Sequence, residues 1–217
     1  MSGDDGGVDV KQSVFGWLVL ARDGSWRVDQ LRPELAAILH EIERALDAKL
    51  YYVAIAVALS VPDVCACLEC DPDKPIWGTV DKYTAWCDAN LRFASLEGAD
   101  LARLRGGVLH QGHFGHPKSK FNRVIFLGPE SPIKAHDVIM TVTDDVSFGG
   151  MSAMDLRLAG RILHLDVLRF CQTIIDGAKN WILAKTGDPF VERNLANLVR
   201  YRPDGLPPFS YGVPTIA

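Results

Sequence analysis

Residues 101–112 read Leu101-Ala-Arg-Leu-Arg105-Gly-Gly-Val-Leu-His110-Gln-Gly112. Leu101, Leu104, Val108 and Leu109 recur at helical spacing, so one side of the stretch belongs to a core. It predicts a helix, and the apolar periodicity around it predicts a mainly α fold. Arg105 and His110 are not needed for that core. A permanently charged guanidinium beside an imidazole suits phosphate chemistry, the first holding the anion and the second moving a proton. Positions five apart lie about 140° round an α-helix, so the two side chains do not share one face. They converge if the helix loosens near Gly112, or if a second copy of the chain supplies the partner groups. Gly106-Gly107 costs about 1 kcal/mol per glycine relative to alanine inside a helix. Such a pair marks either a bend or a close approach of two backbones, and the latter suits a dimer seam.

Outward from this stretch, helical patterns continue on both sides. Arg32-Pro33-Glu34 opens a helix, with proline and an acid in its first turn and Leu35, Ile38, Leu39, Ile42 and Leu46 as its buried stripe. His40 lies off that stripe and reads as a surface residue. Leu50 to Leu59 is apolar nearly all round, as in a central helix, and Pro62 is expected to kink or restart it. Asp63 could then cap the restarted turn. Val80 to Leu91 forms the next helix behind Thr79 as N-cap, with Tyr83, Trp86 and Cys87 sharing a core face.

Beyond Gly112 the pattern changes. His113-Phe-Gly-His-Pro-Lys118-Ser-Lys120 reads as a basic loop able to draw in a polyanion. Arg123–Leu127 and Val138–Val142 are β-branched runs separated by Gly128-Pro129, and predict a two-stranded insertion near 121–143. Asp155 to about Lys185 predicts one long amphipathic helix, and Asp188-Pro189 opens a short last one. Residues 1–12 are expected to be a disordered tail. Residues 13–30 read as a hairpin around Asp23-Gly24, although a short apolar run can also be helix. The proline-rich residues 201–217 are expected to lie extended over the surface, leaving 31–200 as the helical domain.

Composition narrows the partners. A net charge of −4 argues against a broad, sequence-blind nucleic-acid surface but not against a compact phosphate-binding cleft. No run approaches eighteen uninterrupted apolar residues, and the acidic, glycine-rich start is unlike a secretory signal, so a cytoplasmic protein without a membrane partner is expected. Cys65-x-Cys67-x-x-Cys70, with His110, His113 and His116, holds enough soft ligands for zinc. It lacks a second paired-cysteine knuckle, so reduced thiols packed at a helix end are expected, with no metal or cofactor.

Arg105-x4-His110 resembles the signature of the HEPN superfamily, small helical proteins of which several are metal-independent ribonucleases acting as toxins or antiviral effectors. "LRGGVLHQG" is similar to the motif helix of one bacterial branch, and "YYVAIAVALSVPDVCACLE" (Tyr51 to Glu69) to the helix before it; Tyr83-x-x-Trp86 falls between them, as an aromatic pair does there. The likeness spans roughly residues 31–112, with a continuation in the helix after Asp155. It implies an antiparallel helical bundle, a homodimer with the two motif helices at a shared cleft, and RNA as substrate. Arg105 and His110 would be catalytic, with Asp63 and Gln111 supporting them and His113, Lys118 and Lys120 near the RNA. An antitoxin protein is a further partner such a toxin implies. Many active members carry a polar residue where this chain has Gly106, and that departure favours the alternative, a non-catalytic dimerisation or adaptor module.

Overall fold

A computed structural model describes residues 18–20, 26–28, 33–74, 77–114, 118–143, 147–148, 151–152 and 160–217. The tail expected at 1–12 lies outside them. Near the N-terminus β1 (Leu18–Leu20) pairs antiparallel with β2 (Trp26–Val28), as the expected hairpin requires, though its turn is not among the described residues.

The body is built from α-helices. α1 (Pro33–Asp47) packs along α2 (Tyr51–Leu68), with Leu35, Leu39 and Ile42 fully buried, so the predicted stripe faces the core. Lys49, at φ 59, makes the tight corner between the two helices. α2 touches α3 (Val80–Asn90), α4 (Gly98–Gly106), α5 (Val167–Ala184) and α6 (Pro189–Leu195), which makes it the axis of the domain. Its length and composition alone would suffice to cross a membrane, and half of it is buried, as in a core helix. It runs through Pro62 without a break, because buried neighbours hold the helix where proline removes one hydrogen bond. Asp63 therefore caps nothing and stands in mid-helix. α3 starts as predicted, with the Thr79 hydroxyl accepting from the Lys82 N–H at 3.2 Å, and Tyr83, Trp86 and Cys87 are buried.

Two expectations fail beyond the motif helix. β3 (Arg123–Leu127) and β4 (Val138–Val142) do not form a hairpin. After the two-residue strands β5 (Ser147–Phe148) and β6 (Met151–Ser152), which pair with each other, comes β7 (Gly160–Asp166). β7 inserts between them, parallel to β3 and antiparallel to β4. The predicted helix from Asp155 is thus a strand over 160–166, and α5 begins only at Val167. Val124 pairs with Leu163 and Phe126 with Leu165, which puts an apolar sheet face on the helical core. Burial at period two, rather than a helical stripe, is satisfied there.

The last segment is also not extended. β8 (Tyr201–Arg202) pairs with β9 (Thr215–Ile216), and Gly205 and Gly212, at φ 86 and 63, let the chain turn back between them. Arg200 ties this fold-back to α1 through Glu34 at 3.2 Å.

Candidate functional site

Glu97 and Asp100 cap α4 reciprocally, each carboxylate accepting from the other's backbone N–H, which fixes where the motif helix starts. Leu101 and Leu104 bury its inner side. At Gly107 the helix widens into a π-turn, Gly107–Gln111, closed by Gly112 in the left-handed region at φ 69. The N–H groups of Gly112 and His113 both donate to the Gly107 carbonyl. The Val108 carbonyl instead accepts from the Tyr52 hydroxyl of α2 at 2.8 Å. The loosening considered from the sequence therefore exists, but it begins at Gly107 rather than Gly112. Such π-turns are rare and often sit at functional positions. This one changes the angle at which His110, within it, stands to Arg105 before it.

Arg105 points back across the bundle. Its guanidinium pairs with the Asp63 carboxylate and stacks over the Tyr83 ring, 5.4 Å from the centroid. Tyr83 is held in turn by donating its hydroxyl to the Leu59 carbonyl at 3.1 Å. The Arg105 Nε is buried and finds no acceptor among the described residues. Burial raises the Asp63 carboxyl above its ordinary range, and the Arg105 charge pulls the other way. The expected nearness of Asp63 to the motif helix is what the structure has.

His110 and Gln111 lie exposed on the outer side of the π-turn. Among the described residues no hydrogen bond or ion pair joins His110 to Arg105, whose own partners are Asp63 and Tyr83. Next to His110, Leu109 is 39% exposed, and Tyr52, bonded to the same turn through Val108, is 49% exposed; Leu50 and Val53 at the start of α2 are 55% and 46% exposed. His113 and Lys118 are exposed, on either side of undescribed residues 115–117. Lys120 is engaged rather than offered to a polyanion, with its ammonium 2.7 Å from Asp100 and 3.4 Å from Glu97. Burial pulls its pKa down, and its bonds to the two carboxylates outweigh that and leave it raised.

Arg105 also lines a cavity of about 540 Å³ between α2, the start of α3 and α6, together with Asp63, Cys67, Gly78, Val80 and Asn194. His110 is not part of it. A Cβ at Gly78 would sit 3.3 Å from the Asp63 carboxylate, a tight approach, and in ordinary contact with the Cys67 sulfur at 3.6 Å. Asn194, only 4% exposed, donates to the carbonyls of Leu68 and Cys70 at 2.9 and 2.8 Å and so closes the end of α2. Tyr52, Gly78 and Asn194 were not singled out from the sequence, because each acts through a partner at least fifteen residues away.

The cysteines do not gather. Cys65 is buried, Cys67 faces the cavity, and Cys70 accepts from the Lys82 ammonium at 3.1 Å. Among the described residues no group of three or more His, Cys, Asp or Glu side chains could hold a metal ion. No family model matches this chain, and neither the curated proteins nor the solved structures contain a match to it.

Proposed function

We propose that the chain is a HEPN-like, metal-independent endoribonuclease, a toxin or antiviral effector working as a homodimer. The observation that carries this reading is the imidazole of His110, exposed on the π-turn beside the part-exposed Leu109. Leu109, Tyr52 and Val53 leave apolar area uncovered in a single protomer, and a second motif helix would cover it. His110 acts as general acid or base at a ribose hydroxyl or the leaving oxygen, and Arg105 holds the phosphate as its charge redistributes. Asp63 and Tyr83 keep the guanidinium positioned until RNA displaces part of the pair. With the ribose 2′-hydroxyl as nucleophile, the products carry a cyclic phosphate. Cleavage of RNA by the wild type and by His110→Ala, with a chelator present, tests the reading.

A second reading is favoured by the Arg105–Asp63 pair itself. A guanidinium already satisfied by a carboxylate and an aromatic ring can be a structural tie in a non-catalytic dimerisation or adaptor module. In that case Arg105→Ala lowers stability, and no variant changes any cleavage.

A further inference from the structure

The cavity beside Arg105 has a composition the catalytic reading leaves unused. Its walls are apolar at Val64, Leu68, Val80 and Leu198, and its polar groups include a carboxylate and a guanidinium side by side. About 540 Å³ lies within the range of small-molecule sites. Trp77, directly before the lining Gly78, is 71% exposed, and Val80 is 65% exposed. The Lys82 ammonium donates to the Trp77 carbonyl at 3.4 Å, which anchors the backbone of this short loop to the first turn of α3. An exposed indole one residue from the cavity lining, with a guanidinium among the lining groups, is a combination that can take an unstacked base.

We propose that this cavity is a nucleobase pocket, which receives one base of single-stranded RNA against Trp77 and places the adjoining phosphate towards Arg105. The proposal rests on the ribonuclease reading for its substrate. Asp63 supplies an acceptor and Arg105 donors, and the Watson–Crick edge of every nucleobase carries groups of both kinds. Gly78 leaves room in the lining, because a Cβ there would crowd the Asp63 carboxylate at 3.3 Å. Asn194 holds the far wall by fixing the end of α2.

The test uses full-length His110→Ala protein and a fluorescein-labelled single-stranded ribo-oligonucleotide, read by anisotropy. Trp77→Ala should weaken binding about tenfold, and Trp77→Phe should recover most of it, as stacking requires. Trp77 is exposed, so both variants should melt with the parent, and circular dichroism checks that. Cleavage by the otherwise wild-type chain is measured in parallel. Binding by Trp77→Ala as tight as the parent's, with cleavage intact, overturns the pocket and leaves the ribonuclease standing. Trp77-dependent binding without any cleavage supports the pocket and overturns the ribonuclease. Neither binding nor cleavage by any form overturns both.

Discussion

Arg105 of α4 is tied to Asp63 of α2, and the tie passes over the face of Tyr83 from α3. Three helices thus meet at one charge. The Arg105 and Asp63 side chains are 28% and 20% exposed, so solvent screens part of their attraction. A double-mutant cycle with Arg105→Ala and Asp63→Ala should give a favourable coupling of about 0.5 to 1 kcal/mol in urea unfolding. A coupling of zero would mean that the two groups are neighbours without mutual energy.

Gly106 is the residue at which this chain departs from the motif it resembles, and its surroundings are open. A Cβ there meets nothing within 4 Å, and its φ of −58 and ψ of −43 suit any residue. Gly106→Ala should therefore stabilise the protomer by about 0.5 to 1 kcal/mol. If a second motif helix packs against this position, the same change should weaken the dimer, seen as a rise in its dissociation constant by sedimentation. Stabilisation with unaltered self-association would place the seam elsewhere.

Asn194 joins α6 to the last turn of α2, where two carbonyls have no helical partner of their own. Asn194→Ala leaves both buried and unpaired, and should cost about 1 to 3 kcal/mol by chemical denaturation. A loss under about 0.5 kcal/mol would show that the end of α2 rearranges to satisfy itself.

The five thiols should separate into two classes. Burial pushes Cys87 and Cys171 up to about 12 and raises Cys65 well above its ordinary value; it also raises Cys67, but Cys67 and Cys70 are only half-buried and so open to reagent. At about pH 8 a disulfide reagent should titrate Cys67 and Cys70 promptly and reach the others only after unfolding. Prompt reaction of Cys65, Cys87 or Cys171 would contradict the packing of α2, α3 and α5.

Of the helices up to Gly112, α1 and α3 were legible because each buries a stripe that repeats at helical spacing, and α2 because it is apolar nearly all round. Leu35, Leu39 and Ile42 show it in α1, and Tyr83, Trp86 and Cys87 show it in α3. The strand β7 was not, because Arg161 to Asp166 flows into α5 without glycine or proline between them. A signal did exist in Asp166, whose carboxylate accepts from the Arg169 N–H at 2.9 Å as an N-cap and marks the true helix start. The sheet order was hidden for a different reason. Gly128-Pro129 looks like a hairpin breaker, and nothing local reveals that a third strand separates β3 from β4. At the site, Arg105 and His110 were visible as residue types and Asp63 through the resemblance. The inward turn of Arg105 depends on Tyr83 and Asp63 lying on other helices, which no local pattern encodes.

The decisive experiment on His110 is cleavage of a labelled single-stranded RNA by wild-type protein and by His110→Ala, both in excess chelator. The wild type should cleave and leave cyclic phosphate ends, and His110→Ala should lose at least about a hundredfold. Cleavage that survives the substitution, or that disappears from the wild type when the chelator is added, would contradict metal-independent cleavage by His110.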